Sequence, residues 1–352
     1  MKKSLKKVFT ALLAVGMLLS FTACGEGSTT PEQTNGTESA EEEYQEMRIE
    51  FGTAANMSDD SGPWTQGCLA LKEFLETESG GKITFNITDN GLLGDDAAMT
   101  EACEMGTLQM CANVSGSFYP YSKEFQALSL PYLFDSTDQA LAVMEAIEDD
   151  LADCLVGTGV KYMGSNYGGS RMMTNNKHPI ETVDDMKGLK MRVMDSAIQI
   201  DLFTALGATA TPMSFTELFT ALQNGTVDGQ DNDPSTIYSG QFYEVQKYGS
   251  ITNHMLGFGM LCASEDWYNG LNEKTKALID EGAALYNKTI QDGVLEMTDT
   301  FIQMLKDNGM EINEVTPEAM EAFHAAALPV IDQYGAECAS MLEKIEAAKA
   351  AN

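Results

Sequence analysis

One stretch near the C-terminus constrains the fold more than any other. From about Glu273 to Asn308, Leu278, Tyr286, Ile290, Val294, Met297, Phe301 and Leu305 recur at helical spacing. At the α-helical rise the stretch extends roughly 54 Å as one helix. A single small α/β lobe is not that wide, so a continuous helix here would run along two lobes and couple them mechanically. Gly282 and Gly293 each weaken such a helix by about 1 kcal/mol relative to Ala. They leave a second reading open, two ordinary helices broken at Gly293.

The rest of the body alternates strands and helices. Met47–Thr53 alternates like a strand, and Trp64, Cys68, Leu71 and Leu75 keep helical spacing until Gly80-Gly81 ends the run. Lys82–Thr88 alternates again, and Asp95-Asp96 opens a helix through Met99 and Cys103 to Gly106. The second half repeats this grammar. Strands are predicted at Val160–Gly164 and Gly188–Met194, helices at about Ala197–Leu206 and Phe215–Gln223, and a strand-to-loop segment from Val227 to Gln230. The pattern predicts an α/β fold with loops gathered at the carboxyl ends of the strands. No internal repeat is evident.

The N-terminus reads as a targeting segment. Lys2, Lys3, Lys6 and Lys7 precede a mostly apolar run from Val8 to Leu19, too short for an ordinary transmembrane helix. Small residues then lead to Cys24 in the order of a bacterial lipobox. Residues 1–23 are therefore predicted to be a lipoprotein signal peptide, with Cys24 the lipidated mature N-terminus. Residues 24–43 carry no large apolar residue and no base, and are predicted to be a disordered acidic tether. Such a coil reaches about 25 Å. No later stretch is apolar enough to span a bilayer. The expected location is the extracytoplasmic face of a bacterial cell membrane, held by the lipid on Cys24.

Charge narrows the partners. Across 352 residues, 21 Lys plus Arg stand against 53 Asp plus Glu, a net charge of −32. Loss of residues 1–23 removes four lysines and no acid, which takes the charge to −36. Nucleic acid needs clustered bases and is not an expected partner. The three arginines are Arg48, Arg171 and Arg192, so an anionic ligand has to be held by local chemistry against the field of the whole chain. Beyond Cys24, six cysteines are scattered without a CxxC, several in apolar helical contexts that suit buried free thiols. His178, His254 and His324 are scattered too, so no metal site is predicted.

Seven motifs in order carry a family resemblance. They are Asn90-Gly91-Leu92-Leu93-Gly94-Asp95-Asp96, Leu130-Pro131-Tyr132-Leu133-Phe134, the segment from Asp185 to Val193, and the segment from Gly207 to Glu217. Then come the segment from Ala221 to Asn232, Phe242–Tyr248, and Thr252-Asn253-His254. In these the chain resembles the solute receptors of tripartite ATP-independent periplasmic (TRAP) transporters, the DctP family, here in a lipoprotein form. The resemblance implies an α/β, two-lobed periplasmic-binding-protein-like fold with hinge strands and a long helix spanning both lobes. The expected division is residues 44–168 plus about 257–298 in lobe I, and 169–256 plus about 299–350 in lobe II. It also implies an organic-acid ligand in the cleft, delivered to small and large integral-membrane subunits driven by an ion gradient. No cofactor is expected, in keeping with the lack of a GxxxxGK[ST] phosphate loop.

The same resemblance assigns the site. Arg192 matches the family arginine that clamps the ligand carboxylate, where a planar guanidinium offers a bidentate fork that stays charged when desolvated. Arg171 matches a second cleft arginine, and Asn232 an asparagine that hydrogen-bonds the ligand. Phe215 matches an aromatic covering one ligand face, and Asp96 an acid that accepts from ligand hydroxyls. Where sialic-acid receptors carry an acid and an asparagine, this chain has Val114 and Ala54, while Asn113, Ser115 and Ser117 keep the region polar. The favoured ligand is a hydroxylated monocarboxylate such as a uronate or aldonate. A C4-dicarboxylate held by both Arg192 and Arg171 is the alternative. An extracellular hydrolase is a remote one, since no Gly-x-Ser-x-Gly nucleophile elbow is present; no catalytic residue is assigned.

Overall fold

The computed structural model of the chain describes residues 43–58 and 60–351. The expected signal peptide, Cys24 and all of the tether before Glu43 lie outside the described residues.

The first elements follow the predicted alternation. They are β1 (Met47–Thr53), α1 (Pro63–Glu78), β2 (Ile83–Thr88), α2 (Asp96–Glu104) and β3 (Met110–Val114). Ile49 and Phe51 alternate on β1 and are fully buried. Both β2 and β3 pair parallel to β1, as crossover helices require. After α3 (Thr137–Asp153), β4 (Val160–Ser170) runs six residues past the predicted strand end at Gly164. Its glycines suggest a break from sequence, yet Gly168 is a place of close approach. A Cβ there would lie 3.1 Å from Cζ2 of the Trp64 ring.

The chain next forms β5 (Met172–Asn175), β6 (Lys190–Val193), α4 (Ala197–Ala205), β7 (Thr209–Pro212), α5 (Phe215–Gln223), β8 (Gly229–Asn232), α6 (Pro234–Ser239) and β9 (Tyr248–Ile251). It returns through β10 (Leu256–Ser264) and α7 (Glu265–Asn269) to α8 (Glu273–Asp307). The last elements are β11 (Glu311–Glu314), α9 (Pro317–Glu337) and α10 (Ala339–Ala351). Two sheets result, ordered β2-β1-β3-β10-β4 and β11-β9-β5-β8-β6-β7. The architecture is a two-lobed α/β fold. Two strand segments cross between the sheets, β4 to β5 at Arg171 and β9 to β10 through Thr252–Met255. The Arg171 amide donates to the Met255 carbonyl at 2.9 Å and ties the crossings together.

α8 is the third crossing, and it is one continuous helix of 35 residues. Asn272 caps it by accepting from the Thr275 amide. Its first half packs on α1 and β4, with Leu278, Tyr286 and Ile290 buried. Its second half packs on α6, where Phe301 lies 5.6 Å from Tyr238, and Leu305 joins the apolar cluster of Met172, Leu218 and Phe242. The glycines do not break it. A Cβ at Gly282 would lie 2.9 Å from Leu71 Cδ1, and one at Gly293 would lie 3.1 Å from Pro63 Cβ. Both mark where α1 comes close. α10 folds back on α3 and on the 3-10 segment Lys123–Ser129. Among the described residues, no helix is long and apolar enough to cross a membrane.

Candidate functional site

Strand ends define the site. The carboxyl ends of β1, β3, β6 and β8 bring Thr53, Val114, Arg192 and Asn232 to one cavity of about 200 Å³, lined from both sheets. This is where an open α/β sheet collects ligand groups. All six residues expected at the site line it: Asp96, Asn113, Arg171, Arg192, Phe215 and Asn232. Ala54, Asn56, Val114 and Ser117 are there too, whereas Ser115 is buried beside it.

The two arginines differ in one decisive respect. Arg171 already has a counter-ion: its Nε donates to Asp231 Oδ2 at 2.5 Å, and its Nη2 to the Asp231 carbonyl at 2.5 Å. Both residues are buried, and His254 Nε2 adds a contact to Asp231 Oδ2 at 3.3 Å. Burial opposes both charges, but the pairing outweighs it: Arg171 titrates above its ordinary value and Asp231 below its own. Breaking such a buried pair costs about 3–5 kcal/mol, so Arg171 stays with Asp231.

Arg192 is only 2% exposed and has no such partner. Its Nε and Nη2 donate to the Met213 carbonyl at 3.1 and 2.9 Å, and no carboxylate among the described residues lies within ion-pair distance. Burial therefore pushes it down to about 10, with Asp231 and Asp96 opposing and Arg171 reinforcing the shift. A buried guanidinium without a counter-ion is a place where an anion gains strongly.

The remaining groups are shaped for hydrogen bonding. Asp95 caps α2 by accepting from the Ala98 amide, which leaves the Asp96 carboxylate uncommitted. Burial raises Asp96 to about 6; Arg192 pulls it down and Asp95 pushes it up. Asn113 Nδ2 donates to Thr100 Oγ1 at 2.6 Å, and its buried Oδ1 has no partner. Asn232 Nδ2 donates to Gln230 Oε1 at 2.6 Å, which fixes its amide plane. Phe215 opens α5, half-buried, edge-on to Phe242 at 5.8 Å.

Sequence reading missed three things. Asp231 is not marked as the Arg171 partner by any spacing. The β5–β8 pairing, Met172 opposite Asn232 and Met173 opposite Asp231, brings the two together. Trp64 reads as a core residue of α1 but lines the cavity, with its indole Nε1 buried and unpartnered. The scattered cysteines do not all stay apart: Cys103, Cys111 and Cys262 meet in the first lobe. His178 and His324 remain separate, the first against the Pro179 carbonyl and the second edge-on to Tyr132.

These features are those of a two-lobed binding receptor whose cleft holds a buried, carboxylate-free arginine suited to a small anion. Residues 54–337 match the family described as DctP, bacterial extracellular solute-binding protein, family 7. The chain belongs to this family, the solute-binding receptors of TRAP transporters. It is 30% identical to the 2,3-diketo-L-gulonate-binding periplasmic protein YiaO of Escherichia coli, over 75% of this chain and 80% of that one. It is 29% identical to the C4-dicarboxylate-binding periplasmic protein DctP of Vibrio cholerae, over 87% and 91% of the two chains. The sugar acid binding protein DctPAm of Advenella mimigardefordensis, solved with galactonate, superposes with a TM-score of 0.84 at 30% identity. The match covers 88% of this chain and 100% of that one.

Proposed function

We propose that this receptor captures a hydroxylated monocarboxylate, a sugar acid such as an aldonate or uronate, with the carboxylate on Arg192. One observation carries the reading. Arg192 is buried without a carboxylate partner, while Arg171 already holds Asp231. A ligand with one carboxylate completes the charge balance. A second carboxylate would meet Asp96 and a spent arginine. Asp96, Asn113 and Asn232 supply acceptors and donors for hydroxyls, and Phe215 covers an apolar ring or chain face. The galactonate and 2,3-diketo-L-gulonate relatives support this class. The C4-dicarboxylate relative keeps the alternative in play, with Arg171 facing the second carboxylate. A thermal-shift and calorimetry panel decides between them. Galactonate or glucuronate should raise the melting temperature; succinate or malate doing so while sugar acids do nothing would overturn the proposal.

Capture proceeds by closure. The lobes meet over the bound acid, exclude water, and present the closed form to the membrane subunits; the ligand must favour closed over open for this to occur. Lobe I is taken as residues 44–168 plus about 257–298 and lobe II as residues 169–256 plus about 299–350; the contacts of α10 with α3 favour counting that last helix with lobe I. The body is anchored outside the membrane through a lipid on Cys24. Release of a Cys24→Ser variant from the membrane fraction tests the anchor; retention there would refute it.

A further inference from the structure

The three cysteines that meet in the first lobe come from separate elements. Cys103 lies on α2, and Cys111 on β3 stands opposite Cys262 on β10 in the antiparallel register. Cys103 and Cys111 are 3.4 Å apart at sulfur, and Cys111 and Cys262 are 3.2 Å apart. All three are fully buried and none is in a disulfide. A fourth sulfur belongs to the same face of α2 as Cys103. Met99 lies one turn before Cys103 on α2, so both project from one helix face. Gly52, the β1 neighbour of Cys111, has no side chain, and a Cβ there would lie 2.7 Å from Met99 Sδ. The glycine leaves room for the thioether over the strand position that pairs with Cys111.

We propose that Cys103, Cys111 and Cys262, with Met99, form a binding site for a soft monovalent metal ion of the Cu(I) class. Thiolate and thioether ligands select Cu(I). A structural zinc site takes four ligands from Cys, His or carboxylate, and among the described residues three such groups gather here. Cysteine binds a metal as the thiolate, so the ion displaces thiol protons to solvent on binding, with no electron transferred. A supporting shell is in place. Asn113 Nδ2 also donates to Cys111 Sγ at 3.2 Å, and Asn113 lines the cleft, so one polar side chain joins the cluster to the cavity wall.

The test is an anaerobic titration of the reduced, full-length protein with Cu(I) against a Cu(I)-specific chelator. Ultraviolet thiolate-to-copper absorption is read alongside. The expected result is one ion per chain, with Zn(II) failing to compete. Cys154→Ser, outside the cluster, should leave binding unchanged. Cys111→Ala and Cys262→Ala should weaken it by more than roughly a hundredfold, beyond the range of a supporting-shell loss. Met99→Leu conserves volume and packing, so it keeps the fold and should weaken binding by roughly tenfold. Stoichiometric Cu(I) binding that survives Cys111→Ala would overturn the proposal. So would the absence of tight Cu(I) binding, a preference for Zn(II), or a Cys111–Cys262 disulfide that persists under reductant.

Discussion

Arg192 and Arg171 carry the same guanidinium two strands apart and do different work. Arg171 is neutralised by Asp231 within the fold, so it shapes the cavity wall. Arg192 has no carboxylate partner among the described residues, and the proposed ligand would supply one. Arg192→Lys replaces a planar fork with a point charge and should weaken ligand binding by more than about tenfold; calorimetry showing unchanged affinity would remove Arg192 from the role. Asp96 gives a pH signature. Burial lifts its carboxyl from 3.8 to about 6 in the folded state. Between those values the folded receptor holds a proton that the unfolded chain releases, so the stability of the ligand-free protein falls as pH rises from about 4 to 6. Asp96→Asn should flatten that slope in melting curves; an identical slope in the variant would assign it elsewhere. At this scale the sequence was partly legible. Arg192, Asn232 and Phe215 stand out through the motifs that surround them. Asp231 does not, because its partner is set by strand register, which no local spacing encodes.

Among elements, α8 was the most legible, and its glycines the least. Periodicity marks an apolar stripe regardless of what packs on it, so the helix is visible from sequence. Glycine in a helix reads as weakness, yet Gly282 sits against Leu71 and Gly293 against Pro63. Gly282→Ala sets two effects against each other. Helix propensity favours Ala by about 1 kcal/mol. Overpacking at 2.9 Å from Leu71 Cδ1 costs about 1–3 kcal/mol. The packing term wins, so the variant should melt lower than the parent; a higher melting temperature would show that α1 yields freely. The extension of β4 was hidden for a similar reason. Its Gly168 and the neighbouring strand's Gly259 make way for the Trp64 ring, a contact between residues roughly a hundred or more apart in sequence. The cysteine cluster was hidden too, since no short spacing announces ligands drawn from α2, β3 and β10.

For the whole molecule, the two-lobed plan follows from strand and helix alternation together with a helix too long for one lobe. The net charge of −32 says less about the ligand than the placement of one arginine does. In the proposed site a buried guanidinium at contact distance outweighs carboxylates far out on the surface, which solvent and salt screen beyond about 8–10 Å. The rim of the cleft is already in contact across the lobes: Gly91, in the loop after β2, faces the Thr216 methyl at the start of α5, and a Cβ at Gly91 would run into it. The continuous α8 gives a different kind of opportunity. A rod shared by both lobes is a natural mounting point, since attachment there leaves the mouth of the cleft free. Leu285 and Leu295 are exposed along it, 38% and 45% accessible, and offer positions for immobilisation. A fluorophore at Leu92, 75% exposed on the rim loop, would then turn the receptor into an optical sensor for its own ligand.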